Sequence, residues 1–323
     1  MRIEICSNFH RYPAALEPLG NGGQAGYRVL DLIAKGLAEL GHDVLYCLPR
    51  GLLAPLPKGV THTTELSHDA DVIHYQNGNL EDPVSGTGAL PWVRTCHTDL
   101  AVRNVSRSVA TPNWVYVSRT LAETYGSKRF VLNGIDPAVQ VYSETKDDYV
   151  LFMCDLKRAT NKGFDIALDL CRELGFKLVV AGGSVDPDDI ERLRDFSAGA
   201  NIEFRGEVWG AQKAELLAAA RALLFPTRVN EAFGLVLAEA LMSGTPVITS
   251  DRGACRELVT EDVGFVCTSR DDYRHAFANL DRIAPHTCRE KAMRDYHYHR
   301  MAEGYVREYE HEIGANSRSP VTT

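Results

Sequence analysis

Two glutamates, Glu231 and Glu239, lie in a segment, NEAFGLVLAEALMSGTPVITS, that is otherwise apolar enough to belong to a protein core. A buried carboxylate is costly unless hydrogen-bond donors or cations face it, so both glutamates need partners. The pattern predicts a strand that ends at Thr227 and a helix that begins near Phe233 and runs to Met242. Glu231 lies just before that helix and Glu239 about two turns into it, so the two carboxylates stand about 12 Å apart along the axis, too far to share a proton or a metal ion.

The start of this helix is a predicted anion site. It follows the carboxyl end of a strand, where parallel sheets bind their ligands. Its amides are unpaired, and Gly234 leaves room beside them, so the position favours a phosphate. A diphosphate there, flanked by two sugars, would bring hydroxyl groups to Glu231 and Glu239, as in a nucleotide-sugar. The structural alternative is that Glu231 interacts with the helix dipole and that Glu239 pairs with a neighbouring base.

Strand-like and helix-like segments alternate along the chain in two series, which predicts an α/β protein with parallel sheets and helices on both faces. With 323 residues the chain exceeds the usual size of one core, so two doubly wound, Rossmann-like domains are expected, in residues 1–140 and 141–292. Residues 293–323 are expected to form a C-terminal helix that packs back on the first domain, followed by a disordered tail. The predicted strands are RIEICS, HDVLYCLP, ADVIHYQ, WVRTCH, WVYVS and RFVLNG in the first series, and YVLFMC, KLVVAGG, NIEFRGEV, ALLFPT and PVITS in the second.

Composition and charge argue against several classes of protein. The formal net charge of −8 disfavours a nucleic-acid-binding surface and leaves at most peripheral membrane contact. The start, MRIEICSNFHRY, is polar where a signal peptide needs an apolar run, and nothing in the sequence approaches the roughly 20 apolar residues of a membrane span. The eight cysteines are scattered without CxxC pairs, so free thiols in a reducing cytoplasm are expected.

Two further patterns suggest chemistry that their context disfavours. The segment GNGGQA fits a dinucleotide fingerprint, but it does not follow the first strand directly and the second strand does not end in an acid. NAD binding is therefore disfavoured, although Gly22 and Gly23 would still let a ligand approach the start of the first helix closely. Metal binding is disfavoured because the clustered acids stand before a strand or in the first turn of a helix; these acids are Asp69, Asp71, Asp186, Asp188 and Asp189.

In their order along nearly the whole chain, these segments resemble the retaining glycosyltransferases of family 4, which have the GT-B fold of two facing doubly wound domains. Glu231 and Glu239 match the E-x7-E signature, and Gly22 and Gly23 match the N-terminal glycine loop. VRTCHTD matches the segment that carries the active-site histidine, here His97, and GHDV, VLNGIDP, LVVAGG, FRGEV and VGFV also match. His97 has a case of its own, because it follows a strand at its carboxyl end; the structural alternative is an ordinary loop histidine.

The resemblance implies a donor site around the two glutamates. Glu231 would hold the hydroxyl groups of the transferred sugar, and Glu239 would hold those of the ribose. The backbone amides of Phe233, Gly234 and Leu235 would bind the sugar and the diphosphate.

The resemblance also implies functional groups outside the glutamate segment. Lys162 matches the lysine that clamps the diphosphate; a cation there stabilises the leaving group, so no metal ion and no other cofactor is required. Gly23, beside Gly22, would approach the phosphate from the facing domain, and His97 would touch the donor sugar near the reacting carbon. The acceptor would attack from the face of the leaving group, whose phosphate takes the acceptor's proton.

One position departs from the family pattern. The Gly-Arg that usually follows the first strand of the second domain is replaced by Cys154-Asp155, and the missing arginine is the other half of the diphosphate clamp. A carboxylate facing a diphosphate would repel it by about a few kcal/mol at an effective dielectric constant near 20. Lys157 or Arg158 would have to replace the arginine, and we prefer Arg158 because its planar guanidinium suits phosphate.

These observations predict a cytoplasmic, metal-independent, retaining glycosyltransferase that uses a UDP- or GDP-linked sugar. The acceptor would be a hydroxyl group of a polysaccharide, of a lipid-linked sugar or of a small natural product. Two alternatives stay open: a nucleotide-sugar 2-epimerase of the same fold, and a subunit that binds a nucleotide-sugar without catalysis, which Asp155 makes conceivable.

Overall fold

The computed structural model describes residues 1–7, 24–47, 56–67, 69–76, 90–183 and 187–317, and these residues form two compact units. The N-terminal unit comprises the described residues up to Gly134 together with those from Tyr298 onward. The C-terminal unit comprises Ile135–His297. The last helix of the chain therefore belongs to the unit in which the chain begins.

The N-terminal unit is built on a parallel sheet. Its strands are β1 (Arg2–Ser7), β2 (Asp43–Cys47), β3 (Val60–Thr63), β4 (Val72–Gln76), β5 (Trp92–Cys96) and β6 (Trp114–Tyr116), and its first helices are α1 (Gln24–Glu39) and α2 (Arg119–Thr124). The strand order is β3-β2-β1-β4-β5-β6. Ile3 and Ile5 of the central strand β1 are fully buried, as expected of a strand that is covered on both faces. Helix α1 buries an apolar stripe and ends before Gly41, whose φ of +85° is left-handed.

The C-terminal unit repeats this plan. Its strands are β7 (Val150–Met153), β8 (Leu178–Ala181), β9 (Ile202–Gly206), β10 (Ala222–Phe225), β11 (Val247–Ser250) and β12 (Gly264–Cys267). Its helices are α3 (Phe164–Leu174), α4 (Pro187–Phe196), α5 (Gly210–Ala219), α6 (Leu235–Met242), α7 (Cys255–Leu258), α8 (Arg270–Asn279) and α9 (Pro285–Asp295). The strand order β12-β11-β10-β7-β8-β9 is the doubly wound order of the N-terminal sheet, read from the other edge. The predicted α/β class with two doubly wound sheets is confirmed.

The last helix, α10 (Tyr298–Asn316), packs on α1 and on strands β4 and β5 of the N-terminal unit. The helix predicted in residues 293–323 is not continuous at its start, because α9 extends to Asp295 and α10 begins only at Tyr298, with Tyr296 and His297 between them. The break has a physical cause, because the Tyr296 carbonyl accepts the N–H of Ile135 at 2.7 Å and His297 pairs with the same residue. Helix α10 can approach α1 closely at Gly36, where a Cβ would come within 2.7 Å of the Ala302 side chain.

Two strand assignments at the edges of the N-terminal sheet are wrong. The segment RFVLNG is predicted to be a strand, but only Phe130 pairs with β6, at Tyr116. The chain then turns toward α10, where the Gly134 N–H donates to the Met301 sulfur at 3.0 Å. Strand β3 is missed because VTHT is short and lacks the apolar alternation of a half-buried strand.

The clustered acids among the described residues occupy structural positions. Asp71 accepts the backbone N–H of Arg2 at 2.7 Å, and Asp69 accepts its guanidinium at 2.7 Å. Asp188 and Asp189 lie in the first turn of α4, while Asp186 lies outside the described residues.

All eight cysteines are free thiols. None of the helices described is both long and apolar enough to cross a membrane. The final residues of the predicted disordered tail, 318–323, also lie outside the described part.

Candidate functional site

Lys162 lies in the turn between β7 and α3, at the carboxyl edge of the C-terminal sheet. Gly163, which precedes α3, has a φ of +78°, and a Cβ there would overlap the carbonyl oxygen of Pro226. Only glycine fits, so this turn packs directly on the chain that leaves β10. The Arg228 N–H donates to the Asn161 carbonyl at 2.9 Å and fastens the two segments together.

Glu231 is held from both its backbone and its side chain. The Ala254 N–H donates to the Glu231 carbonyl at 2.9 Å, and Gly253 lies so close that a Cβ would overlap the Glu231 backbone. The carboxylate forms an ion pair with Lys162 and accepts the Thr227 hydroxyl at 3.0 Å. The side chains of the pair are only 15% and 12% exposed, in the order lysine, glutamate.

The Lys162–Glu231 pair joins the two segments that follow β7 and β10. These strands are neighbours in the sheet, although three strands separate their turns along the chain. The strand order reverses between them, and ligands of doubly wound sheets bind at such a reversal.

Helix α6 begins directly beside this pair. Gly234 stands at its N-cap with a φ of +92°, and Leu235 is its first residue. The Phe233 side chain is buried, and its ring packs edge to face against that of Tyr296, with the two ring centroids 6.0 Å apart. The predicted start near Phe233 and the predicted end at Met242 are confirmed. The first amides of α6 therefore lie next to the lysine that the resemblance assigns to a diphosphate.

Glu239 is nearly buried, with 6% of its side chain exposed, and it accepts the Lys213 ammonium at 2.6 Å. The pairing with a neighbouring base that sequence analysis left open for Glu239 is thus present. Lys213 lies on α5, which packs against α6. Sequence reasoning missed this lysine because nothing in AQKAELLAAARA shows which residue faces the next helix.

Asp155, which stands where the family pattern has arginine, has a structural role. Its carboxylate accepts the Lys157 N–H at 3.1 Å and caps the short 3-10 helix Leu156–Arg158. Arg158 lies exposed on that turn, and among the described contacts its guanidinium forms no ion pair or hydrogen bond. The structure therefore brings Lys162, Glu231 and the start of α6 together and does not bring the Arg158 side chain to them.

His97 follows β5 in the N-terminal unit. Its Nε2 is hydrogen-bonded to the Oε1 atom of Gln76, the last residue of the neighbouring strand β4. Gln76 is 95% buried and was not singled out from the sequence. Gln76 ends strand β4, and His97 follows the neighbouring strand β5. The shared position at the carboxyl ends of strands is the signal that could have identified Gln76. Gly22 and Gly23 lie outside the described residues.

One buried cluster among the described residues could hold a metal ion. The ligand atoms of Glu4, Cys6 and Cys47, on the paired strands β1 and β2, lie within 4.8 Å of one another. The hydrogen bond with Cys47, together with burial, raises the pKa of the Cys6 thiol well above its ordinary value. Burial also raises the pKa of Glu4. In the metal-free protein these shifts favour the protonated groups, and a metal ion that bound there would have to displace their protons.

Comparison with known proteins relates the C-terminal unit to glycosyl transfer. Residues 139–297 match the family model of Glycosyl transferases group 1. Over 145 residues the chain is 31% identical to a phosphatidyl-myo-inositol mannosyltransferase of Mycobacterium leprae, a match that covers 42% of this chain and 39% of the relative. The chain spans well under two thirds of the length of the curated relatives it matches, 39% and 57%.

Solved structures match nearly the whole chain. AviGT4, a glycosyltransferase involved in avilamycin A biosynthesis, superposes with a TM-score of 0.79 at 24% identity and covers 98% of this chain and 99% of its own. Alr3699/HepE of Anabaena, solved in complex with UDP-glucose, superposes with a TM-score of 0.69 at 16% identity, covering 96% of this chain and 100% of its own. The chain has the GT-B fold, and the comparisons together support a glycosyltransferase.

Proposed function

We propose that this chain is a retaining, metal-independent glycosyltransferase that moves a sugar from a nucleoside-diphosphate sugar to a hydroxyl acceptor. The observation that carries the proposal is the Lys162–Glu231 pair, which lies at the strand-order reversal beside the start of α6. A cation, a hydroxyl-binding carboxylate and unpaired helix amides are the groups that a sugar diphosphate needs.

Charge explains why the pair would exchange partners when a donor binds. Lys162 neutralises one carboxylate in the free protein, whereas a diphosphate offers about two negative charges and interacts with the ammonium more strongly. Once Lys162 turns to the diphosphate, the Glu231 carboxylate accepts hydroxyl protons of the transferred sugar. Lys213 similarly balances Glu239 until ribose hydroxyls reach that carboxylate.

The proposed reaction leaves the anomeric configuration unchanged. The bond between the sugar C1 and the diphosphate oxygen breaks, and the acceptor oxygen bonds to C1 on the same face. The acceptor's proton passes to the departing phosphate oxygen. Lys162 and the α6 amides stabilise the charge that develops on this diphosphate, so the chain's own groups supply the electrostatic assistance.

The structural neighbour Alr3699/HepE was solved in complex with UDP-glucose, which supports a nucleotide-sugar donor. We infer a UDP- or GDP-linked donor, with a polysaccharide, a lipid-linked sugar or a small natural product as acceptor. The resemblance to family 4 supports the retaining course and the role of His97 at the donor sugar. We place the protein in the cytoplasm, where nucleotide-sugars are available.

The test is turnover of UDP-glucose, UDP-galactose and GDP-mannose by the full chain with EDTA present, using alkyl glycosides and lipid-linked sugars as acceptors. We expect release of one nucleoside diphosphate that depends on an acceptor, and a product whose anomeric configuration, read by NMR, matches the donor. An inverted product would overturn the retaining course, and a strict requirement for metal would overturn metal independence. Acceptor-independent epimerisation would establish the 2-epimerase instead, and binding without any turnover would establish the non-catalytic subunit.

A further inference from the structure

A buried group of polar side chains lies beneath His97 in the N-terminal unit. Gln76 approaches His74, with 3.5 Å between its amide nitrogen and the His74 Nε2. The same Nε2 lies 2.7 Å from the Thr95 hydroxyl, and the His74 Nδ1 lies 2.6 Å from the Tyr309 hydroxyl. Thr95 is also 2.7 Å from the hydroxyl of Tyr305, which, like Tyr309, comes from α10. All five side chains are at least 95% buried.

The protonation states in this group follow from burial. Burial, with a smaller effect of His97, lowers the pKa of His74 to about 3, so its ring is neutral at physiological pH. Burial also raises the pKa values of Tyr305 and Tyr309, which keeps both hydroxyls protonated. A neutral imidazole has one donor nitrogen and one acceptor nitrogen, so each bond to His74 has a defined direction.

The direction can be derived from the Gln76 amide. An amide nitrogen only donates, so the His74 Nε2 that it faces is the acceptor nitrogen, and Nδ1 donates to Tyr309. Thr95 then donates to His74 Nε2 and accepts from Tyr305. With its nitrogen aimed at His74, Gln76 presents its Oε1 atom to His97, and an oxygen of this kind only accepts.

We propose that Gln76 is a positioning residue that holds His97 in the tautomer with hydrogen on Nε2, so that Nδ1 carries the lone pair and accepts a hydroxyl proton. The proposal rests on the proposed function only in assigning that hydroxyl to the donor sugar. His97 then acts as an acceptor toward a neutral group, and α10 takes part through the tyrosines that orient His74. A histidine tautomer is set by the hydrogen bond of its other nitrogen, which is the role assigned here to Gln76.

The first test is NMR of the full chain with ¹⁵N-labelled histidine, with the His97 signals assigned by His97→Asn. In the wild type we expect one neutral tautomer with hydrogen on Nε2. In Gln76→Leu and Gln76→Met, which lack the acceptor, we expect the two tautomers to average; Gln76→Glu, which keeps an acceptor, should keep hydrogen on Nε2. A wild-type His97 with hydrogen on Nδ1, or an unchanged pattern in both apolar variants, would overturn the proposal.

A matched control separates positioning from general destabilisation. Asn113→Leu removes another side-chain amide of the same unit, one that donates to the Trp92 carbonyl and to Glu312 of α10. It should lower stability and leave the His97 tautomer unchanged; a changed tautomer in this variant would contradict the specific role of Gln76.

Turnover provides the second readout. With the donor identified, Gln76→Leu should lower kcat by ~10- to 100-fold with little change in the KM for the donor. A misoriented His97 ring lowers the reaction rate more than it weakens donor binding. A raised KM with an unchanged kcat would contradict a positioning role. If the wild type turned over no donor, the proposed function would fail, while the NMR result would still decide the tautomer.

Discussion

The two units of this chain share one strand order, but the polar groups at their candidate sites have different kinds of partner. In the C-terminal unit, Glu231 and Glu239 are each neutralised by a lysine, Lys162 and Lys213. In the N-terminal unit, His97 rests on a neutral, hydrogen-bonded group that begins with Gln76. Ion pairs can exchange partners with a charged ligand, whereas a neutral network fixes the direction of each donor. The candidate site of the C-terminal unit is therefore suited to binding an anionic ligand, and that of the N-terminal unit is suited to orienting the His97 ring.

The largest expected effect is on catalysis, through Glu231. Glu231→Gln removes the charge that we propose to face the sugar hydroxyls, and it should lower kcat by about 10²- to 10³-fold, the usual cost of one lost electrostatic contact in a transition state. Steady-state turnover of the identified donor is the measurement. Glu261→Gln, at an exposed site of the same unit, is the control and should be neutral. Equal rates in the two variants would remove Glu231 from the site.

The next effect is on stability, through the cation of the same pair. Lys162→Met leaves the Glu231 carboxylate buried without its cation, and we expect a free energy of unfolding lower by about 3–5 kcal/mol. Urea unfolding of the free protein measures it. Adding Glu231→Gln to Lys162→Met should recover part of the loss, because the uncompensated charge disappears.

An exposed pair sharpens this contrast. The Arg228–Asp165 ion pair has side chains that are 43% and 40% exposed, so solvent screens it. Arg228→Met should cost only about 0–1 kcal/mol in the same urea experiment. A cost equal to that of Lys162→Met would mean that burial does not distinguish the two pairs.

The neutral network of the N-terminal unit predicts a dependence of stability on acid. Folded His74 stays neutral down to its pKa of about 3, whereas in the unfolded chain it binds a proton below about pH 6.5. The unfolded state thus holds more protons in that window, and stability falls as the pH falls, by up to about 1.4 kcal/mol per pH unit. The free energy of unfolding, measured with urea at several pH values below about 6.5, should depend less steeply on pH in His74→Asn than in the wild type. The exposed His286→Asn should keep the wild-type slope; equal slopes in all three proteins would contradict the assignment.

Much of the fold could be predicted because it depends on local pattern. Strands β7 and β10 are predicted by short runs of apolar residues, and the helix from Leu235 to Met242 is predicted by an apolar segment that ends at a Ser-Gly-Thr-Pro stop. The break before α10 and the loss of the RFVLNG strand could not be predicted, since both depend on contacts between distant segments such as Ile135 with Tyr296.

The candidate site divides in the same way. Glu231 and Lys162 were found through their motifs, and the structure brings them into contact. Lys213 and Gln76 were missed because each is defined by the residue it faces: Lys213 faces Glu239 on another helix, and Gln76 faces His97 in the loop after another strand. Tertiary pairing of this kind leaves no periodic trace in a single sequence.

The most direct test of the charge-paired site is thermal unfolding of the full chain with UDP, GDP, ADP and NADH, compared between the wild type and Glu239→Ala. A ligand that binds only the folded state raises its stability by RT ln(1 + [L]/Kd). The account predicts that one nucleoside diphosphate stabilises the wild type and that Glu239→Ala largely abolishes the shift. Stabilisation by NADH alone, or an equal shift from the nucleoside diphosphate in both proteins, would contradict it.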